Sequence, residues 1–287
     1  MAQVINTNMM SLNSQRALNK SQHSMQTSLE RLSSGLRINR AKDDAAGLAI
    51  AERFTSQVRG LEQAIRNAND GISLVQTAEG AMGEVVDALQ RMRELAVQAK
   101  NGTYNASDRS SLNDEYQALR AEVVRIARTA EFNNISVLGQ STTLAMQVGW
   151  ENGTDNVVNI SVHPIMSATF ANGGILSAVG RSTGSTNVTS ILTVAGASIA
   201  IARMDSAIQV INNNRADFGA IQNRLESAIR NMQNVVENQS AARSRIMDAD
   251  FARETANLTR TQILQQAGTA MLAQANQLPQ NVLSLLR

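Results

Sequence analysis

The stretch FTSQVRGLEQAIRNANDGISLVQTAEGAMGEVVDALQRMRELAVQAK, residues 54–100, decides the fold of this chain. An apolar row recurs in it at intervals of seven residues: Phe54, Leu61, Ala68, Val75, Met82, Leu89 and Ala96. A second row begins four residues after the first at Val58 and changes to three residues after it from Ala78 onward. A repeat of seven is typical of coiled-coil helices, and the change of offset indicates a seam that drifts across the helix face. We therefore predict one helix of about 50 residues, roughly 75 Å long at the α-helical rise.

Two further segments carry stripes of the same kind. Apolar side chains from Leu112 to Ala130 are spaced three and four apart, behind a predicted helix start at Ser107 and Asp108. From about residue 198 the spacing of seven returns, and three helices with matching stripes can close one core. The predicted core residues of this bundle are Phe54, Leu61, Val75, Met82, Leu89, Met204, Ile211, Phe218, Leu225 and Met232.

The two ends of the chain repeat the pattern. Residues 261–286 carry no charged side chain, which suits a helix surrounded by other chains, since buried charges are costly. We expect the apolar side chains at the two ends to pack between subunits: Leu18, Met25, Leu29, Leu32, Leu36, Leu264, Met271, Leu278, Val282 and Leu285. Because two isolated helices bury little surface, we expect both ends to become ordered on assembly.

The middle of the chain has a different composition. Of the 57 residues from 141 to 197, 27 are Gly, Ser, Thr or Asn. Apolar residues alternate at 144–148 and 158–162, and an Asn-Gly pair at Asn152 lies between them, which predicts a β-hairpin. The predicted fold is mainly α: a long antiparallel helical bundle or coiled coil, with the terminal helices paired at one end and a small β-hairpin region in the middle of the chain.

Composition excludes several classes of protein. With no cysteine and only two histidines, His23 and His163, we predict no metal site and no cofactor. The net charge of +2 comes without a basic face interleaved with aromatics, so we expect no nucleic-acid partner. The sequence has no apolar run long enough to span a membrane, so we expect no membrane partner. We also predict that there is no signal peptide. Asp43 and Asp44 are adjacent and cannot face each other on a helix, so we predict no catalytic residues.

Several segments at both ends resemble the bacterial flagellins. On the N-terminal side these are AQVINTN at 2–8, LSSGLRIN at 32–39, AKDDAAGLAI at 41–50, RNANDGI at 66–72, RMRELAV at 91–97 and EFN at 131–133. Toward the C-terminus they are SRI at 244–246, QILQQAG at 262–268, AQAN at 273–276 and PQNVLSLL at 279–286. The resemblance covers about residues 1–165 and 198–287. It implies a non-enzymatic subunit that polymerises into the flagellar filament for swimming motility, in a short form with little or no outer domain.

The resemblance also implies a division into five segments. Residues 1–43 and 248–287 would form the helices of a filament-core domain. Residues 44–140 and 198–247 would form the two parts of a rod domain. Residues 141–197 would form the hairpin and a variable polar surface.

Partners and location follow from the same resemblance. The chain would bind itself in a helical homopolymer, the filament cap, the hook–filament junction protein and a cytosolic export chaperone at the C-terminal helix. Arg91, Leu95 and Glu115 match positions where some flagellins contact a host Toll-like receptor; the alternative for Arg91 and Glu115 is subunit packing. The expected location is extracellular, in the bacterial flagellum, reached unfolded by type III export without a cleaved signal peptide.

Three alternatives are weighed against the filament subunit. A hook–filament junction protein has similar ends, but the C-terminal match and the short middle favour the filament subunit. An enzyme hosted on this scaffold needs a motif such as His-Glu-x-x-His, which the sequence lacks. A coiled-coil adaptor or membrane-surface binder needs a basic amphipathic helix, and no basic residue lies between Arg260 and Arg287. An adaptor would also stop at a small oligomer.

Overall fold

The long helices predicted from the spacing of seven are present in the structure, a computed structural model that describes residues 7–139, 142–162 and 190–285. They are α1 (Met9–Ser34), α2 (Ala45–Lys100), α3 (Ala106–Thr129), α4 (Val194–Met247) and α5 (Phe251–Leu285). Two antiparallel hairpins pair β1 (Glu131–Phe132) with β2 (Ile135–Ser136), and β3 (Thr142–Gln147) with β4 (Val157–Val162). The prediction of a mainly α chain with a small β-hairpin region is confirmed.

The chain divides into two compact units. The central unit is Arg59–Val236, and the terminal unit comprises the residues up to Val58 and those from Glu237 onward. Both divisions therefore fall inside the long helices α2 and α4.

In the central unit α2 runs antiparallel to both α3 and α4. The contacts that show this order are Arg91–Glu115 and Arg109–Ala99 between α2 and α3, and Arg93–Asp205 and Glu79–Gln222 between α2 and α4. The core between these helices is apolar, and its largest buried side chains include Tyr116 and Phe218. This arrangement agrees with the antiparallel bundle that the stripes predict.

Nine of the ten predicted bundle-core residues are at most 5% exposed: Leu61, Val75, Met82, Leu89, Met204, Ile211, Phe218, Leu225 and Met232. Phe54 is different, because it is half-buried and lies in the terminal unit. Its neighbour Thr55 accepts a hydrogen bond from Arg243 of α4 at 3.3 Å. Two paired helices cover a large ring less completely than three do, which accounts for the partial exposure of Phe54.

The helix starts differ from the predicted ones by a few residues. Helix α3 begins at Ala106, where the Asn105 side chain accepts from the Asp108 amide and Asp108 accepts from the Asn105 amide. This capping box makes Asn105, and not Ser107, the residue that starts the helix. Helix α4 begins at Val194, because Thr193 Oγ1 accepts a hydrogen bond from the Gly196 amide at 3.0 Å.

The hairpin β3–β4 has the predicted alternation, with Leu144 opposite Ile160 and Met146 opposite Val158. Its connection is longer than a two-residue Asn-Gly turn, since it runs from Val148 to Asn156 and ends in a 3₁₀ turn. The hairpin packs on α2 at Gly71, where a Cβ atom would lie 3.4 Å from Met146 Cγ and 3.3 Å from Leu225 Cδ1. Glycine at this position allows α2, α4 and the hairpin to approach closely. The remainder of the predicted polar surface, residues 163–189, lies outside the described residues.

Among the described residues, α4 is the helix whose length and composition would allow it to cross a membrane. Helices that line the core of a bundle pass the same test, and α4 contributes Ile211, Phe218 and Leu225 to the central core.

Candidate functional site on the terminal helices

Helices α1 and α5 pair antiparallel in the terminal unit. Asn8 Nδ2 donates to the Ala275 carbonyl at 2.7 Å, and Ser21 Oγ donates to the Thr261 carbonyl at 3.1 Å. The Asn8 side chain also caps α1, because its oxygen accepts a hydrogen bond from the Ser11 amide. A single side chain thus starts α1 and ties it to the far part of α5.

A buried carboxylate lies between the two helices at the other end of the pair. Glu254 is 7% exposed, its Oε2 accepts from Ser28 Oγ at 2.9 Å, and its Oε1 is 3.0 Å from Arg31 Nη1. A buried charge is tolerated when it is paired and hydrogen-bonded, as Glu254 is here. Sliding one helix along the other would leave this carboxylate without partners, so the contact favours one register.

The side chains buried between α1 and α5 are mostly small and polar. They are Ser11, Ser28, Glu254, Thr261 and Ala275. Gly268 contributes as well, since a Cβ atom there would lie 3.2 Å from Leu18 Cδ1. Small side chains between α1 and α5 allow the two helices to come close, and they leave the larger apolar side chains on other faces.

Those larger side chains are exposed. Among the side chains that the structure describes, eight of the fourteen exposed large hydrophobic ones lie on α1 and α5: Met9, Met10, Leu12, Leu29, Phe251, Ile263, Leu264 and Met271. Exposed fractions range from 41% at Leu12 to 62% at Met271. A single exposed leucine needs no explanation, but a concentration of this kind on one pair of helices marks an interaction surface.

Two grooves follow the helix pair. The first has a volume of about 510 Å³ and contains the side chains of Met9, Met10 and Met271 in its lining; we call it the methionine groove. The second has a volume of about 340 Å³ and is lined in part by Leu18 and Leu264. Both grooves combine apolar side chains from α1 and α5.

The residues predicted to pack between subunits have three different placements. Leu29, Leu264 and Met271 are exposed, whereas Leu18, Met25, Leu32 and Leu36 are half-buried. Leu278, Val282 and Leu285 belong to α5, and their side chains lie outside the described ones.

Sequence reasoning missed several residues of this surface. Four exposed apolar residues lie outside the apolar rows with a spacing of seven: Met9, Met10, Phe251 and Ile263. Glu254 was also missed, although it is the last carboxylate residue in the sequence and comes just before the uncharged C-terminal stretch. A carboxylate that is followed by no other acidic residue is the signal that could have indicated a buried ionic contact.

The end of α1 is held by a short chain reversal within the terminal unit. Gly35 has φ 72°, the left-handed conformation that commonly ends a helix, and its amide donates to the Arg31 carbonyl. The Ala249 amide donates to the Gly35 carbonyl at 2.9 Å, and the Arg37 amide donates to the Met247 carbonyl at 2.6 Å. These bonds fix the loop between α1 and α2 against the junction of α4 and α5.

The adjacent carboxylates Asp43 and Asp44 shape the start of α2. Asp44 Oδ1 accepts from the Gly47 amide at 2.8 Å, and Asp43 Oδ2 accepts from the amides of Arg40 and Asn39. Desolvation raises the pKa of Asp43, but the hydrogen bonds from Arg40 and Asn39 hold that pKa below its ordinary value. Both side chains are therefore engaged in the turn.

The three residues matched to a receptor contact lie on α2 and α3 of the central unit. Arg91 Nη2 is 2.9 Å from Glu115 Oε1, and Arg91 Nη1 is 3.0 Å from Glu94 Oε2. The pKa of Arg91 is raised most by the hydrogen bond to Glu115 and next by the hydrogen bond to Glu94. Leu95 is 1% exposed and packs in the bundle core. Only Arg91 and Glu115 are accessible to another molecule in this conformation.

In the part of the chain that the structure describes, no group of three or more His, Cys, Asp or Glu side chains is placed to hold a metal ion. We call the buried contact between α1 and α5, formed by Ser11, Ser28, Glu254, Thr261 and Ala275, the polar seam. This seam and the exposed apolar side chains beside it form the candidate site.

Comparison with known proteins assigns this helical arrangement to a family. Residues 5–143 match the family model of the bacterial flagellin N-terminal helical region, and residues 201–286 match that of the C-terminal helical region. The chain belongs to the bacterial flagellin family. This flagellin is 46% identical over 285 residues to the flagellin of Halalkalibacterium halodurans, with 99% of this chain and 100% of that protein covered. It is 47% identical over 292 residues to flagellin FlaB2 of Treponema pallidum, with 99% and 100% covered.

One relative is longer than this chain. The alignment with polar flagellin C of Vibrio parahaemolyticus extends over 384 positions at 38% identity and covers 100% of both chains, although this chain has 287 residues. A crystal structure of Bacillus cereus flagellin covers 58% of this chain and 88% of its own, with 32% identity and a TM-score of 0.48. With 287 residues, all of which align with flagellins, the chain is a short-form flagellin. It is a structural subunit that polymerises with itself into the extracellular flagellar filament, and it is not an enzyme.

Proposed function

We propose that the exposed apolar side chains of α1 and α5 are the surface through which subunits of this flagellin join in the filament. The observation that carries the proposal is the concentration of exposed Met, Leu, Ile and Phe on these two helices. In this proposal residues 1–43 and 248–287 form the filament core, residues 44–140 and 198–247 form the rod, and residues 141–197 form the hairpin and surface region.

The energy available from this surface is of the right size. Fully burying a leucine, isoleucine or methionine contributes roughly 1.5–3 kcal/mol, so a side chain that is already half-buried contributes about half of that. Eight such side chains together offset much of the roughly 4–15 kcal/mol that association costs. A surface of this kind that meets a different surface on the next copy produces a helical fibre when the rotation between copies does not close a ring.

A pair of matched substitutions tests the proposal. Ile263 of α5 is 60% exposed and Ile199 of α4 is 54% exposed, so Ile263→Ser and Ile199→Ser remove similar exposed side chains from the two units. We expect Ile263→Ser to raise the critical concentration for polymerisation about tenfold, because the lost burial recurs at each subunit contact. We expect Ile199→Ser to polymerise like the unaltered chain.

Sedimentation and negative-stain microscopy in a polymerising salt measure both variants, and circular dichroism checks that both keep their helices. A chain without residues 1–40 and 250–287 provides the extreme case and is expected to remain unpolymerised. Equal polymerisation of Ile263→Ser and Ile199→Ser would contradict the proposed surface.

The same surface supports the expected partners before and after export. Ile263, Leu264 and Met271 of α5 would aggregate in the cytosol if left uncovered, so we propose that an export chaperone binds this helix. Loss of chaperone copurification on Ile263→Ser, with retention on Ile199→Ser, tests this chaperone-binding site.

The filament cap and the hook–filament junction protein would meet the terminal helices at the two ends of the polymer. We propose that the chain reaches the filament unfolded, through a type III channel and without a cleaved signal peptide. It has no cysteine and 2 prolines, so no disulfide and few slow prolyl isomerisations would hinder this export.

We propose further that a host Toll-like receptor would contact Arg91 and Glu115 directly. Leu95 would only help to hold their helix in place from the core. Arg91→Ala in unpolymerised protein should lower receptor signalling in a reporter cell. The matched control is Arg125→Ala on α3, because Arg125 also forms an exposed ion pair, with Glu122. Equal signalling from the two variants would contradict this assignment.

A further inference from the structure

The methionines that the structure describes differ widely in exposure. Met9, Met10 and Met271 are 61%, 59% and 62% exposed. Four others are at most 5% exposed in the central unit: Met82, Met92, Met204 and Met232. Buried methionine is an ordinary filler of cores, whereas exposed methionine thioethers are open to oxidants.

The three exposed methionines lie in one place although they are far apart in sequence. All of them line the methionine groove of about 510 Å³, where the beginning of α1 meets α5. Two come from α1 and one from α5, so both partners of the helix pair contribute. The groove belongs to the surface proposed above for polymerisation.

We infer that Met9, Met10 and Met271 form an oxidation site that controls assembly: their conversion to methionine sulfoxide in the free subunit prevents its incorporation into the filament. This inference rests on the proposed assembly surface, because it requires the groove to be covered in the polymer. The modifying molecule is a peroxide, with hydrogen peroxide as the simplest example.

The reaction needs only the methionine thioether and the peroxide. The thioether sulfur attacks one peroxide oxygen, an S–O bond forms and the O–O bond breaks. The proton on the transferred oxygen moves to the departing hydroxide, which leaves as water. Sulfur loses two electrons and the peroxide oxygens gain them. The product is a neutral sulfoxide with a strong S–O dipole.

The dipole explains the effect on assembly. The free energy of association becomes more favourable when a neighbouring subunit covers an apolar methionine. A sulfoxide in the same place must instead lose its bound water and find a hydrogen-bond donor. Three such groups in one groove act together. Polymerisation should in turn protect the site, because covered thioethers no longer meet the oxidant.

A partition experiment on the unaltered chain tests the inference. Unpolymerised protein is treated with hydrogen peroxide until part of each exposed methionine is oxidised, the peroxide is removed, and polymerisation is started. Filaments and supernatant are separated by sedimentation, and peptide mass spectrometry measures the sulfoxide fraction at each position. We expect sulfoxide at Met9, Met10 and Met271 to be about tenfold lower in filaments than in supernatant.

Internal and variant controls make the result specific. Half-buried Met146 lies in the hairpin, and its sulfoxide should divide equally between filaments and supernatant. Each chain is compared with its own untreated sample: peroxide should lower the polymerisation of the unaltered chain but leave that of Met9→Leu/Met10→Leu/Met271→Leu at its untreated level, since leucine cannot be oxidised in this way. Treating the oxidised unaltered chain with both stereospecific methionine sulfoxide reductases should restore polymerisation.

Two failures can be told apart. Equal sulfoxide at Met9, Met10 and Met271 in filaments and supernatant, while Ile263→Ser still raises the critical concentration for polymerisation, would overturn the oxidation site and leave the assembly surface standing. Normal polymerisation of Ile263→Ser would contradict the assembly surface itself. If the triple leucine variant does not polymerise even untreated, the partition of the unaltered chain decides.

Discussion

The central and terminal units carry the same spacing of seven, yet their apolar rows have opposite surroundings. Leu89 of α2 is 0% exposed, whereas Leu264 of α5 is 52% exposed. Both belong to rows that predict packing against another helix. Such a row therefore specifies a helical neighbour but does not specify whether that neighbour is part of the same chain.

The buried faces of the two units differ as well. The central bundle has an apolar core and exposed ion pairs such as Arg93–Asp205. The seam between α1 and α5 instead buries Glu254 and Ser28, and the large apolar side chains lie outside it. The polar seam sets the register of the pair, and the apolar surface remains available to other subunits.

The largest effect should come from one substitution made in both units. Leu225 is 0% exposed in the central core, so Leu225→Ala should lower the free energy of unfolding by about 2–5 kcal/mol. Leu264→Ala should change it by less than about 0.5 kcal/mol in the unpolymerised chain but weaken polymerisation. Denaturation followed by the fluorescence of Trp150, the single tryptophan, measures the first effect. Similar losses of stability for both variants would remove the distinction between the units.

A second substitution acts on the polar seam. Glu254→Ala leaves the Ser28 hydroxyl and the Arg31 guanidinium without their acceptor, so opening of the α1–α5 pair should become easier by about 1–3 kcal/mol. Hydrogen exchange should rise in α1 and α5 and stay unchanged in the central unit. The control is Glu226→Ala, which breaks an exposed pair with Arg230 and should cost less than about 0.5 kcal/mol. The role of the seam is refuted if α1 and α5 exchange at the same rate in both variants.

A third substitution tests the cap that starts α3. Asn105→Ala removes the acceptor for the Asp108 amide and should lower the free energy of unfolding by about 1 kcal/mol. Asn105→Ser should recover most of that loss, because serine is also a good capping residue. Ser107→Ala should have little effect if the helix starts where the structure places it. A larger loss from Ser107→Ala than from Asn105→Ala would return the start to the position expected from sequence.

The smallest effect concerns a defect in the central core. The Tyr116 hydroxyl is buried and has no hydrogen-bond partner among the described residues, so Tyr116→Phe should leave stability unchanged or raise it by up to about 1 kcal/mol. Burial raises the pKa of Tyr116 to about 12 from an ordinary value of 10.0. Its contribution is fully present below pH 10 and is lost as pH rises toward 12, because the unfolded chain ionises first.

Urea denaturation across that pH range provides the measurement. The loss of stability above pH 10 should be smaller in Tyr116→Phe than in the unaltered chain. Tyr104→Phe is the control, since the Tyr104 hydroxyl is exposed and accepts a hydrogen bond from Gln98. An equal loss in the unaltered chain and in Tyr116→Phe would assign the alkaline sensitivity to other groups.

Periodicity predicted the fold well because it is local. The rows through Leu61, Met82 and Leu225 indicate helix and buried face together, and the alternation around Met146 and Ile160 indicates the hairpin. The start of α3 was misplaced because Asn105, Ser107 and Asp108 are all residues that favour a helix start.

The surface of the terminal helices was harder to predict. Ser28 and Glu254 are 226 positions apart, and no periodic signal links them. Without that seam the faces of α1 and α5 cannot be assigned, so Met9, Met10 and Ile263 were missed. Phe54 was assigned to the central core because its row continues unbroken past the border of the unit, where fewer helices surround it.

Hydrogen exchange before and after polymerisation distinguishes apolar rows that pack within the chain from rows that pack between subunits. If the terminal rows await neighbours from other subunits, amides of Met9–Ser34 and of α5 should gain strong protection when filaments form. Amides of the α2 core from Leu61 to Ala99 should change little, since their neighbours belong to the same chain. Protection that instead appears in the central unit, with the terminal helices unchanged, would contradict the account.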